Sequence, residues 1–96
     1  MNELQIKINS ITHILASESL KPNKVVMSLQ TFSGLDITHF NDQKKKAIYK
    51  HMAAINNITS HYPTITTHDN YKIISDTDLN EILKNVQQLC LKLIID

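Results

Sequence analysis

Glycine, proline and tryptophan are scarce in this sequence, which has one glycine, two prolines and no tryptophan in 96 residues. All-β sandwiches and barrels join many short strands through glycine-rich turns, so this composition argues against them. A single glycine also argues against the glycine-rich loops that hold nucleotide phosphates. We therefore expect a fold built from helices.

Cysteine occurs once, at Cys90. One cysteine cannot form a disulfide within the chain or supply a cysteine-based zinc site, and it is typical of a reducing compartment. Cys90 lies on the apolar face of a predicted helix, which favours a core thiol over a catalytic nucleophile.

Long apolar segments are also missing. No run approaches the ~18 apolar residues of a membrane span, and the N-terminal residues lack the apolar region of a signal peptide. We therefore expect a cytoplasmic protein that has no membrane partner. The abundance of isoleucine, asparagine, lysine and threonine is typical of AT-rich genes and favours a bacterial or phage origin.

The sequence does contain enough apolar surface to fold. It is 42% hydrophobic and 20% charged, which is typical of a globular chain rather than a disordered one. Its length suits one hydrophobic core. We expect a single helical domain over residues 1–96.

Two helices are predicted in the first third of the chain. The first covers residues 2–19 and has an apolar stripe at helical spacing. The second is short, covers residues 24–33, and has Asn23 as its N-terminal cap. Gly34 is expected to end this helix in a left-handed conformation. The apolar stripe of the first helix consists of Leu4, Ile8, Ile11 and Leu15.

Two longer helices are predicted further along the chain. The third begins at Asn41 or Asp42, runs to about His61 and ends before Pro63. The last follows Ser75, which is spaced from Asp78 as in a variant of the capping box. The third helix has the stripe Ile48, Met52, Ile55, Ile58 and Tyr62, and the last has Leu79, Ile82, Leu83, Val86, Leu89, Cys90, Leu93 and Ile94.

Residues 64–67 and 71–74 are rich in β-branched and aromatic side chains and flank a turn-forming trio. They predict either a small β-hairpin or an extended loop before the last helix. The preferred fold class is all-α, a compact four-helix bundle whose second helix is short. The alternative is an α+β fold resembling a winged helix.

Catalytic and metal chemistry are not indicated. None of the five histidines is paired with another at the i, i+3 or i+4 spacing that two ligands on one helix require. Asp76, Asp78 and Glu81 cluster at a predicted helix N-terminus, where the helix dipole already favours acidic residues. We therefore expect no enzyme activity, no metal site and no cofactor.

Lysines are concentrated in DQKKKAIYKH, residues 42–51. On a helix that turns about 100° per residue, only Lys46 and Lys50 share an exposed direction. These two lysines are therefore candidate partner-binding residues. In the winged-helix alternative, Lys45 and Gln43 would join them in facing DNA.

Three apolar residues lie outside the predicted core stripes, namely Ile6, Leu91 and Ile95. We interpret them as anchors for a partner. The preferred function is a small non-enzymatic protein-binding module, such as an adaptor, inhibitor, antitoxin, immunity-type protein or secretion chaperone, acting alone or as a homodimer. The alternative is a winged-helix-like DNA-binding regulator that uses the lysines of the third helix.

Overall fold

Four helices account for most of the residues that the structure describes. The structure is a computed structural model, and it describes residues 3–38, 40–62 and 73–94. The helices are α1 (Glu3–Ala16), α2 (Lys21–Ser33), α3 (Asp42–Thr59) and α4 (Asp76–Ile94), and these described ranges contain no strand. The predicted all-α four-helix fold is confirmed.

The predicted hairpin lies mostly outside the described residues, since only Ile73 and Ile74 of its second segment are included. Neither residue is in a strand, and Ile74 is buried in the core. Ile74 therefore packs in the core just before α4 begins, whereas Ile73 is exposed.

The boundary between α1 and α2 differs from the prediction. The first helix ends at Ala16, where the Ser17 hydroxyl donates to the Ile14 carbonyl at 2.7 Å. The second begins at Lys21 rather than Lys24, because Pro22 fits the first turn, where no N–H is needed. Leu20 is therefore the N-terminal cap residue, and the prediction that Asn23 caps the helix was wrong.

Gly34 follows α2, but not in the left-handed conformation that was predicted, since its φ is −90°. Its lack of a side chain leaves space for the end of Lys7. The Lys7 ammonium donates to the Thr31 carbonyl at 3.3 Å, and a Cβ added at Gly34 would lie 2.9 Å from that Nζ. Glycine leaves room for this bridge between α1 and α2.

The start of α3 and the cap of α4 were predicted correctly. The Asn41 side chain accepts from the Lys44 backbone N–H at 2.8 Å, as an N-cap asparagine does. Ser75 Oγ accepts from the Asp78 N–H at 3.2 Å. In a capping box the Asp78 carboxylate would accept directly from the Ser75 N–H. Here Tyr62 lies between them, because the Ser75 N–H donates to the Tyr62 hydroxyl at 3.1 Å and that hydroxyl donates to the Asp78 carboxylate. The third helix ends at Thr59, two residues before the predicted His61.

The helix α4 lies at the centre of the fold. Cα atoms of each of the other three helices approach it within 8 Å. Among the described helices, α3 approaches α4 alone, whereas α1 and α2 also approach each other. Both pairs are antiparallel, because Lys7 reaches Thr31 while Lys24 reaches Leu15, and His51 meets Asn85 while Tyr62 meets Ser75.

The predicted apolar stripes form the core with one exception. Ile94 was assigned to the core stripe of α4, but half of it is exposed. It lies at the edge of the buried arc, in the last described turn, and no described helix covers that edge. The fully or nearly buried apolar residues are Ile8, Ile11, Val25, Val26, Ala47, Ile55, Ile74, Leu79, Ile82, Val86, Leu89, Cys90 and Leu93.

Candidate interaction surfaces

A groove opens between the C-terminal halves of α1 and α4, and it is called here the α1–α4 groove. Its volume is about 300 Å³, and it is lined by Thr12, Leu15, Ala16, Gln87, Cys90, Leu91 and Ile94. Leu91 is 56% exposed and Ile94 is 50% exposed. All seven lining side chains are uncharged, so the groove offers apolar surface with only a hydroxyl, an amide and a thiol beside it.

Leu91, predicted as a partner anchor, therefore lies at a concave apolar site. Its predicted companion Ile95 lies outside the described residues. The structure places Ile94 beside Leu91 in this groove instead.

A second, wider groove follows the outward side of α1 and the adjacent part of α2. Its volume is about 760 Å³. Ile6, another predicted anchor, lines it and is 52% exposed. Its other lining residues are Asn9, Ser10, His13, Ile14, Ser17, Ser19, Met27 and Thr31. None of them carries a carboxylate or an ammonium group, and we call this surface the uncharged face.

The uncharged face results from two sequence segments that lack charge. Residues 8–17 and residues 25–35 contain no lysine, arginine, aspartate or glutamate, although 20% of the chain is charged. Asn9, Ser10 and His13 are nevertheless exposed. Exposed helical surface normally carries charged residues, whereas the centres of protein interfaces are depleted of them.

The nearest lysines hold α1 and α2 together. Lys7 donates to the Thr31 carbonyl and is 3.7 Å from the Glu3 carboxylate, and Lys24 donates to the Leu15 carbonyl at 3.1 Å. Both ammonium groups thus satisfy backbone carbonyls of the opposite helix. Both charged groups are therefore used in bonds between α1 and α2, and neither lysine lines the uncharged face.

The exposed side of α3 is basic. This helix has four of the ten lysines and one aspartate. Lys46 and Lys50 are exposed as predicted, and within the described part of the chain neither forms a hydrogen bond or an ion pair. Tyr49 lies beside them and is 61% exposed. We call Lys46, Tyr49 and Lys50 the basic face.

The predicted partner-binding residues do not form one site. His51 faces α4, and Lys46 and Lys50 point about 140° and 100° away from it around α3. Leu91 points about 120° away from Asn85, the α4 residue that meets α3. Ile6 lines the uncharged face and Leu91 the α1–α4 groove. Four of the five candidates are therefore distributed over three surfaces, and the fifth, Ile95, lies outside the described residues.

A buried polar pair joins α3 to α4 and was not predicted. His51 is only 3% exposed, and its Nδ1 lies 2.9 Å from the Asn85 side-chain oxygen. The Asn85 amide nitrogen donates to the Glu81 carbonyl at 2.9 Å, which leaves its oxygen to accept from His51. His51 Nε2 is buried and has no partner among the described residues.

The described residues can be compared with what a metal site, a reactive thiol and a membrane span each require. Within those residues, no group of three or more histidine, cysteine, aspartate or glutamate side chains could hold a metal ion. Burial raises the pKa of the Cys90 thiol from 9.0 to about 11, which opposes formation of a nucleophilic thiolate at neutral pH. No described helix is long and apolar enough to cross a membrane.

The fold and its surfaces define an all-α four-helix protein with an apolar groove, an uncharged face and a basic face. No protein-family model, curated protein or solved structure matches this chain.

Sequence reasoning missed the uncharged face and the buried pair for different reasons. The uncharged segments are visible in the sequence, because each lacks charge over ten or more residues. A search for charge-free exposed positions would have found them. The pairing of His51 with Asn85 depends on how α3 packs on α4, and no spacing within either helix indicates it.

Proposed function

We propose that this chain is a small non-enzymatic protein-binding module. The observation that supports this proposal is the α1–α4 groove, where Leu91 and Ile94 remain about half exposed beside Leu15 and Ala16. The cytoplasmic location and the bacterial or phage origin expected from the sequence are part of the same proposal.

Apolar side chains at a concave surface are suited to a protein partner. Leu91 and Ile94 both expose apolar area that a partner would remove from water. The groove accepts an apolar side chain of the partner, and this combination of anchor and concavity is typical of the centre of an interface. Its uncharged lining avoids the cost of burying an unpaired charge.

The test is affinity capture from the native host with quantitative mass spectrometry. We compare the wild type with Leu91→Asp, which places a carboxylate in the groove, and with Gln88→Asp, which makes the same change in charge on an exposed position of the same helix. Circular dichroism first establishes that both variants fold.

The expected result is a protein partner that the wild type and Gln88→Asp retain and that Leu91→Asp loses. Burying a carboxylate without a partner should weaken binding at least ~10-fold in titrations with the purified partner. Equal recovery of the same proteins by all three chains would contradict the proposal.

DNA binding is the second candidate, and the basic face favours it. Lys46 and Lys50 are exposed without an acidic neighbour bonded to them, and Tyr49 offers an aromatic surface. In a helix-turn-helix, however, the first helix of the motif packs against the recognition helix that follows it. Here no Cα of α2 lies within 8 Å of a Cα of α3. Protein binding is therefore the preferred function.

The DNA candidate predicts duplex binding that weakens as salt rises. The variant Lys46→Glu, Lys50→Glu should abolish that binding, whereas Lys84→Glu on α4 should retain most of it. Fluorescence anisotropy with a labelled duplex measures both. Absence of binding by the wild type at low salt would eliminate this candidate.

A further inference from the structure

The uncharged face has features that suit contact with a second copy of the same chain. A two-fold axis brings each residue near the axis close to the same residue of the other copy. Like charges in such positions repel, so a surface that pairs with itself should have few charges near its centre. The uncharged face meets this requirement over the outward side of α1 and the adjoining part of α2.

The basic face fails the same requirement. A two-fold contact there would place Lys46 and Lys50 against the lysines of the other copy. The two faces therefore differ in the partner that their charge suits. The basic face suits an acidic partner, and the uncharged face suits an identical chain.

The polar groups of the uncharged face are also self-complementary. The Ser10 hydroxyl has a donor and an acceptor, so it can bond to a hydroxyl of the same kind across an interface. Ser10 and Ser17 are small enough for two helices to approach closely. Ile6 and Met27 supply apolar area at the side of the groove, and both are exposed.

The spacing along α1 fits a helix-to-helix contact. Ile6, Asn9 and His13 recur at intervals of three and four residues. This is the interval at which one helix packs along another. These three residues are exposed and lie in the part of α1 that faces away from the core stripe of Ile8 and Ile11.

We propose that two copies of this chain associate through the uncharged face, with α1 of one copy packed against α1 of the other around a two-fold axis. This contact is separate from the α1–α4 groove, which remains available to a different protein. The inference goes beyond the proposed function and does not depend on it.

The first experiment measures mass by sedimentation equilibrium of the full chain from micromolar to millimolar concentration. We expect a monomer–dimer equilibrium. Ser10→Glu puts a carboxylate on the uncharged face of both copies, and it should raise the dimer Kd at least ~10-fold. Gln88→Glu makes the same charge change on an exposed position of α4 and should leave the Kd unchanged.

A mixture of variants tests the two-fold geometry. Ser10→Glu alone and Ser10→Lys alone should both dimerise weakly, because each places like charges at the interface. An equimolar mixture should regain dimer as the mixed pair, since a carboxylate then faces an ammonium group. Isotope labelling of one variant identifies the mixed dimer by native mass spectrometry.

Three results would overturn the proposal: a wild type that remains monomeric at millimolar concentration, a dimer unaffected by Ser10→Glu, or a mixture no more dimeric than its components. The proposed function is judged separately. Loss of a captured partner in Leu91→Asp supports that function whether or not the chain dimerises, and a dimer that Leu91→Asp leaves intact supports the uncharged face as the contact.

Discussion

Single residues of this fold differ most from their solution chemistry where the core encloses them, and Cys90 is one such residue. Its pKa is raised to about 11 because burial disfavours the thiolate. A rise of two pKa units makes the thiolate fraction at neutral pH roughly a hundredfold smaller. We expect Cys90 to react slowly with an alkylating reagent at neutral pH in the folded chain and rapidly in urea.

The same shift makes stability depend on pH in the alkaline range. Between pH 9 and pH 11 the folded chain keeps the Cys90 proton, whereas the unfolded chain releases it. Unfolding therefore releases a proton, and the free energy of unfolding should fall as pH rises through this range. Cys90→Ala removes this contribution. Urea titrations at several pH values should show a shallower decline for the variant, and parallel declines would contradict the expected shift.

His51 and Asn85 make a second prediction at the residue scale. Asn85→Leu removes the acceptor of the His51 N–H and leaves that donor buried without a partner, which should cost about 1–3 kcal/mol of stability. His51→Leu removes the donor and leaves the Asn85 side-chain oxygen without this hydrogen bond. The double variant removes both polar groups and should be less destabilised than the sum of the single variants.

A double-mutant cycle based on urea unfolding measures this coupling. Additive single effects would show that the buried pair contributes no coupling energy between α3 and α4. Asn80→Leu, on an exposed position of α4, is the control and should change stability little.

At the scale of elements, the beginning of α3 depends on one side chain. Asn41 accepts from the Lys44 N–H, which satisfies one of the free donors in the first turn. Asn41→Ala should destabilise the chain by about 1 kcal/mol. Asn41→Asp retains an acceptor and should have a much smaller effect. Thermal unfolding followed by circular dichroism separates the two variants, and equal losses would show that the cap contributes nothing.

The helices could be predicted wherever local signals determine them. Helical spacing identified all four, and Ser75 was recognised as a cap because its bond involves a residue three positions away. Asn23 was misread because Pro22 could either precede the helix or lie in its first turn. Gly34 was assigned to a left-handed conformation, whereas its φ is −90° and the end of the Lys7 side chain lies close to it.

The surfaces were harder to predict because they depend on which faces remain uncovered. Leu91 and Ile6 were recognised as outside the core, and both are exposed. Ile94 was assigned to the core because it points to the edge of the apolar arc of α4. Only the position of α1 beside α4 shows that a groove leaves this edge exposed. Helical spacing indicates where a side chain points, but not whether another helix lies there.

At the scale of the whole molecule, the helices contribute unequally to the core. α4 contacts all three other helices, so it joins the α1–α2 pair to α3. Among the described helices, α3 depends on α4 alone. Opening of α3 should therefore leave the other three helices able to stay together, whereas disruption of α4 removes the common surface on which all of them pack.

Ile55→Ala and Ile82→Ala test this asymmetry with the same change at two fully buried positions. Each should cost about 2–5 kcal/mol through lost burial and the cavity that remains. Ile55→Ala in α3 should increase hydrogen exchange mainly in α3, while α1 and α2 keep much of their protection. Ile82→Ala in α4 should increase exchange in all four helices together. Amide exchange followed by NMR measures each helix separately, and loss of protection in α1 and α2 to the same extent in both variants would mean that α3 is as integral to the core as α4.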